Sequence, residues 1–353
     1  MKTPGDSGAF SVSPVPHKLE RATPSGIRVL DCTIRDGGLM NRHHFDDRVV
    51  AAVHAACTDA GIDYMEIGYR ASRKGIVAGE HGRWKYCLEE DIRRIVGERG
   101  PGPKLSIMAD AGKCDYHEDI PPRRDSLVDL IRVACYAHQI PLALDMVKDA
   151  RDKGYEATLN LMAVTTLSAE ELDRTLPPLS TSGADALYVV DSFGALDLSE
   201  TRRLVGKYLA AVAEKGIRVG IHAHNNLQLA FANTLEAFAA GATWLDATMA
   251  GLGRGAGNCP MELLLGYLGE HDYRLQPVLR CVDEVIEPLR DDLKWGFDLP
   301  YMINGFCNLH PRSAIAYNHA ANEGCDIITF YESAVRESGT SHAATTPSSA
   351  ATA

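Results

Sequence analysis

Short runs rich in valine, isoleucine and other apolar residues recur along the chain, separated by longer stretches in which apolar residues return every three or four positions. The first pattern suits strands buried on both faces, the second amphipathic helices. Strands are predicted over 28–36, 64–69, 105–110, 130–136, 156–164, 186–192, 218–224 and 244–251. Helices are predicted between them over 45–61, 87–98, 141–154, 169–183, 198–216 and 226–241. Several of these end in glycine, as a left-handed helix cap prefers. The polar, proline-containing stretch 111–129 predicts its crossover only weakly. Eight strands alternating with helices point to a parallel sheet, and eight is the number that closes a TIM (β/α)8 barrel. An open doubly wound sheet competes, but no G-x-G-x-x-G follows the first strand.

The barrel is assigned to residues 26–275 and a C-terminal helical segment to 276–336. Residues 1–25 and 337–353 have no apolar period and read as unstructured tails. The 353 residues carry 47 acidic and 36 basic side chains, a net charge of −11, which argues against a nucleic-acid partner. No apolar run approaches the ~18 residues of a membrane span, so no membrane association is expected. The start of the chain lacks the basic and apolar stretches of a secretion signal. The nine cysteines are scattered, with no C-x-x-C spacing, which fits a reducing cytoplasm rather than a disulfide framework.

Polar residues gather where the predicted strands end, the edge at which a TIM barrel builds its site. Among them are Arg35, Asp36 and Gly37 on strand one, Glu66 and Tyr69 on strand two, Arg132 on strand four and Ser192 on strand six. Strand seven ends His222-Ala223-His224. At positions i and i+2 of a strand both imidazoles point to one face. Two imidazoles and a carboxylate with open positions make a catalytic type of divalent-metal site, and Asp36 is the carboxylate within reach. An isolated H-x-H fits two hydrogen-bonded core histidines equally well. Asp36 and the loop after strand eight tip the reading to metal. That loop has four glycines in residues 251–257, and Asn258 brings a further oxygen to the ion.

Together LDCTIRDGG, VVDSFGAL, GIHAHNNLQLAFANTLEAFAAGA and DATMAGLGRGAGNCPMELL resemble the DRE-TIM metallolyase superfamily, over roughly residues 27–268. It includes 4-hydroxy-2-oxovalerate aldolases, hydroxymethylglutaryl-CoA lyases, isopropylmalate synthases and homocitrate synthases. The last two motifs and IRVA on strand four most resemble the 4-hydroxy-2-oxovalerate aldolases. The resemblance implies a metal-dependent aldolase that joins or splits a pyruvate-like 2-oxo acid and an aldehyde, in a specialised biosynthetic pathway. Asp36, His222 and His224 would hold Mn2+, Mg2+, Co2+ or Zn2+, with Asn258 near or on the ion. Arg35 would sit beside the reacting carbonyl. Ser192 would orient the substrate carboxylate, and Glu66, Arg132 and Gly37 are grouped with it as substrate-binding. The apolar C-terminal segment suggests a homodimer, and the resemblance raises a dehydrogenase as partner.

Two departures stand out. Leu39 occupies the place of the family's general-base histidine, and Phe306 falls near that of its catalytic tyrosine. His310, ahead of His43 and Tyr69, is the expected substitute proton carrier. A Claisen-type acyl-CoA synthase or lyase is the alternative chemistry. A metal-binding barrel without catalysis is the non-enzymatic one.

Overall fold

Asp31 ends the first strand. Its carboxylate accepts from the Thr33 backbone N–H at 3.1 Å and from the Thr33 hydroxyl at 2.6 Å, turning the chain into a single helical turn. Such a local bond offers the backbone an alternative to the sheet. The expected strand over 28–36 is therefore β1 (Arg28–Asp31) followed by α1 (Thr33–Gly37), which carries Arg35 and Asp36.

The structure, a computed structural model, describes residues 26–339 apart from 73, 75–78, 99, 270–271 and 321–325. The tail expected over 1–25 and the part of the second tail from 340 onward lie outside the described residues. The remaining strands are β2 (Tyr64–Tyr69), β3 (Lys104–Asp110), β4 (Leu130–Cys135), β5 (Glu156–Leu161), β6 (Ala186–Asp191), β7 (Arg218–Ala223) and β8 (Trp244–Ala247). They pair in parallel and in chain order, and β8 pairs with β1 to close the TIM barrel.

Around it lie α2 (Asp47–Ala60), α3 (Glu89–Val96), the single turn α4 (Tyr116–Asp119), α5 (Ile140–Asp152), α6 (Ala169–Leu179), α7 (Leu198–Val212) and α8 (Ala230–Ala240). Between β3 and β4 the described chain makes α4 and one further turn at Arg123–Asp125, flanking Pro121 and Pro122. Proline has no N–H to propagate a helix there. Beyond the barrel come α9 (Met261–Leu268), α10 (Leu275–Cys281), α11 (Leu299–Phe306), α12 (Arg312–Ala320) and α13 (Ile327–Ser338). Glu337 and Ser338, read as tail, complete α13.

Strand alternation sorts the core into two layers. Ile131 and Val133 of β4 join the shell between sheet and helices, whereas Leu130 joins Leu30, Tyr64, Tyr188 and Trp244 inside the barrel. The C-terminal helices are tied to the barrel's loops. Asn226 donates to the Tyr301 carbonyl at 2.9 Å, and Asn308 donates to the Thr165 carbonyl at 2.9 Å. This brings the start of α12 to the mouth of the barrel. No described helix is long and apolar enough to cross a membrane.

Candidate active site

Above the apolar layer the barrel is filled by charge. Arg35 donates from Nη1 to Asp36 at 2.5 Å and from Nε to Glu66 at 2.7 Å. Glu66 Oε2 also receives Arg132 Nη1 at 2.9 Å, and Arg132 Nη2 reaches Asp246 Oδ2 at 2.6 Å. His222 Nδ1 lies 2.9 Å from the same Asp246 oxygen, and its Nε2 lies 3.1 Å from Asp36 Oδ2. The six side chains thus form a closed ring in which acidic and basic groups alternate, each at most 5% exposed. Breaking such a ring leaves a buried charge uncompensated, which is far costlier than losing a surface pair.

Beside this ring, three buried polar atoms have no hydrogen bond, two of them the facing atoms of the His222–Asp36 pair. Asp36 Oδ2, His222 Nε2 and Asn258 Oδ1 are buried, and none makes a hydrogen bond of acceptable geometry. Ligand atoms of Asp36, His222 and His224 all lie within 4.8 Å of one another. Burial would raise the Asp36 carboxyl, but Arg35 and then His222 outweigh it and hold it well below the usual carboxylate range. Burial pushes His224 down to about 3, so its imidazole is neutral, as a metal ligand must be. A carboxylate, two imidazoles and an amide oxygen with free lone pairs fit a divalent cation. Asp246 orients His222 from behind, the arrangement that fixes a ligating histidine's tautomer. Asp246 was not singled out from the sequence. The signal was the alternation on β8, which faces Trp244 and Asp246 inward together.

The glycine loop holds Asn258 in place. A Cβ on Gly253 would stand 2.2 Å from Asn258 Nδ2. Gly257, at φ +80°, brings its backbone so close that a Cβ would stand 2.1 Å from the Gly251 carbonyl oxygen. A side chain at either position would dislodge the loop.

A cavity of about 360 Å³ opens above these groups. Arg35, Asp36, Tyr69, Ser192, His222, His224 and His310 line it, as does Leu39. Ser192 Oγ accepts the Ala163 backbone N–H at 2.8 Å, leaving its own O–H free to donate. Leu39 and Met162 pack with Tyr69, Met108 and Ala134 into an apolar patch. Three residues grouped as substrate-binding do not line the cavity. Glu66 and Arg132 are fully buried in the ion ring beneath it. A Cβ on Gly37 would meet Leu252 at 2.8 Å and Phe45 at 2.9 Å, so that glycine faces packing, not a ligand. Phe306 is 54% exposed and also lies away from the cavity. Lys85, Lys113, Arg254 and Arg312 line it without having been anticipated as site residues.

His310 reaches the cavity but is not set up as the expected base. Its Nδ1 accepts the Arg312 backbone N–H at 3.1 Å, so the neutral ring carries its proton on Nε2. Burial, then Arg254 and Arg312, push it down to about 4. His310 therefore presents a donor. His43 is buried outside the cavity with its ring 5.2 Å from that of Tyr69, and burial, then Lys85, lower it to about 3.

The HMGL-like family model matches residues 136–276. The 4-hydroxy-2-oxovalerate aldolase of Carboxydothermus hydrogenoformans is 32% identical over 266 residues, spanning 74% of this chain and 77% of the relative. That of Pelotomaculum thermopropionicum is 33% identical over 270 residues, with the same two shares. Among solved structures, the N-terminal domain of a protein from Bacteroides vulgatus assigned as an aldolase superposes with a TM-score of 0.68 at 30% identity. The match covers 82% of this chain and 96% of that one. The HMG-CoA lyase of Brucella melitensis, at 17% identity, shares the fold with a TM-score of 0.61, over 75% of this chain and 99% of its own. The similarity to the aldolases spans about three quarters of the chain, and the chain belongs to the HMGL-like family, as a carbon–carbon lyase related to the 4-hydroxy-2-oxovalerate aldolases.

Proposed function

We propose that the protein is a divalent-metal-dependent aldolase that joins the methyl carbon of a pyruvate-like 2-oxo acid to an aldehyde, or cleaves that bond. The observation that carries this reading is the convergence of Asp36, His222 and His224 with the Arg35 guanidinium on one cavity, with the unpartnered Asn258 oxygen on the residue bridged to His224. Asp36, His222 and His224 would hold the cation with Asn258 as a further oxygen, a mixed nitrogen and oxygen set that suits Mn2+, Co2+, Zn2+ or Mg2+. When bound, the ion supplies Lewis-acid polarisation of the keto oxygen. Arg35 places positive charge where the enolate oxygen develops, and its fork is held by Asp36 and Glu66 before substrate arrives. Glu66 and Arg132 act as positioning residues. Ser192 donates its free O–H to the substrate carboxylate. The apolar patch around Leu39 packs beside the reacting methyl, whose proton passes to water in the open cavity and returns to the aldehyde oxygen as the carbon–carbon bond forms. His310 Nε2–H and the Tyr69 hydroxyl are the donors that face the aldehyde oxygen as it gains charge.

The eight described cysteines are free thiols, which supports a reducing compartment such as the cytoplasm. Exposed Phe297, Leu299 and Ile328 on the C-terminal segment support a homodimer built through it.

The test is exchange of the pyruvate methyl protons for deuterium in D2O, followed by NMR with metal-loaded and chelator-treated protein. Metal-dependent exchange is expected without any aldehyde. Exchange confined to an acyl-CoA would replace this reading with Claisen chemistry, and no exchange with either would end it.

A further inference from the structure

The chain is acidic overall, with a net charge of −11, yet the cavity wall is cationic. Arg35, Lys85, Lys113, Arg254 and Arg312 line it against the carboxylates Asp36 and Asp110. Three of these cations have local roles. Arg35 bonds Asp36 and Glu66, Lys113 lies 2.9 Å from Asp110, and Lys85 stands over the Tyr69 ring at 4.6 Å from its centre. Arg254 and Arg312 have no carboxylate within salt-bridge distance among the described residues.

The fold brings these two arginines to one stretch of the rim. Ala256 and Ala314 pack in a single cluster with Tyr301, and each arginine lies two residues before its alanine. His310, whose protonation both arginines oppose, lies on the same wall. Arg254 is half-buried, and beyond it an adjoining cavity of about 430 Å³, which it also lines, extends toward Trp295 and Tyr301. Arg254 is thus partly withdrawn from water without a counter-ion, which is unfavourable, while Arg312 is exposed on the same rim; the planar fork of each matches a carboxylate or phosphate. In the aldol reading the carboxylate of the 2-oxo acid is taken up by Ser192, another lining residue. A second anion is the complement these side chains lack.

We propose that the aldehyde partner carries an anionic group, a phosphate or a carboxylate, and that Arg254 and Arg312 bind it at the cavity rim. The proposal rests on the aldol reading above and adds the class of acceptor.

The test is steady-state condensation of pyruvate with glyceraldehyde, glyceraldehyde 3-phosphate and succinic semialdehyde by the metal-loaded full chain. We expect kcat/KM for at least one anionic aldehyde to exceed that for glyceraldehyde by ~10-fold or more, the scale of a charge-assisted pair. The preferred anion separates phosphate from carboxylate. Arg254→Gln and Arg312→Gln should each lower that preference ratio several-fold, and Arg254→Lys should keep more of it than Arg254→Gln. Equal or better use of the neutral aldehyde overturns the proposal. So does a uniform loss for all three aldehydes in the variants, since the arginines would then be attracting the 2-oxo acid. Deuterium exchange into pyruvate needs no aldehyde. Exchange without anionic preference defeats this inference alone, whereas absent exchange defeats the aldol reading and this inference with it.

Discussion

His222 donates its Nδ1–H to Asp246 at 2.9 Å, which leaves Nε2 as the nitrogen that faces Asp36. The carboxylate is the acceptor, so the tautomer follows from the partner. Asp246→Asn can accept only through one amide oxygen, and its NH2 opposes Arg132. Divalent-metal affinity should fall ~10–100-fold, the range for loss of a carboxylate behind a ligating histidine. The His222→Ala, His224→Ala double variant should lose the ion altogether while the barrel stays folded. Calorimetric titration and metal analysis read both, and stoichiometric metal in the double variant would rule out the ligand set.

Arg35 spans two carboxylates, one from Nη1 and one from Nε. Lysine offers a point charge without that fork. Arg35→Lys should therefore retain metal but lower turnover at least ~10²-fold, the scale of one oriented donor to a developing oxyanion. Unchanged turnover would reduce Arg35 to a structural charge.

Arg132 neutralises Glu66 and Asp246 at the centre of the barrel, fully buried and stacked 4.5 Å from the Tyr188 ring. Arg132→Met preserves much of the volume but leaves two carboxylates facing each other's field. Stability should drop by ~3–5 kcal/mol, the cost of breaking a buried ion pair from one side. Urea unfolding measures this, and a loss below ~1 kcal/mol would show that the ring carries little of the barrel's stability.

His310 is held neutral down to about pH 4 with its proton on Nε2, so it contributes no titration to the rate between roughly pH 6 and 8. His310→Ala should reduce kcat ~10²-fold or more at every pH in that span. His310→Gln, which restores an N–H donor, should recover part of the loss. A wild-type acidic limb near pH 6.5 that disappears in both variants would return His310 to the role of base.

His43 supplies a pH dependence of folding. The unfolded chain binds its proton near the ordinary value of 6.5, while the folded chain resists until about 3. The unfolded state therefore holds more protons between those values, so stability rises with pH across that window and levels off above it. His43→Asn should flatten the curve there, and the difference between wild-type and variant urea midpoints as a function of pH isolates the effect. Parallel curves would show that burial of His43 costs nothing on protonation.

Chain-local physics determined much of this molecule. The alternation of apolar strands with amphipathic helices called for eight parallel strands, and the closed barrel has them. The i, i+2 spacing placed His222 and His224 on one face, and Asp36 and Asn258 stand beside them. Only the tertiary structure decided the rest, because it depends on side chains that meet across the barrel or across its mouth. Glu66 and Arg132 lie 66 residues apart and Arg132 and Asp246 lie 114 apart, and no local pattern pairs them. Barrel closure turns Glu66 and Arg132, expected to touch substrate, together with Asp246 into a buried support beneath the site. The end of β1 at Asp31 depended on a side chain competing for backbone hydrogen bonds, which apolar periodicity does not register. His310 reached the site as expected, but its tautomer followed from one backbone N–H at the start of α12. The cationic rim arises because loops far apart in the chain, contributing Lys85, Arg254 and Arg312, converge at the open end of one barrel.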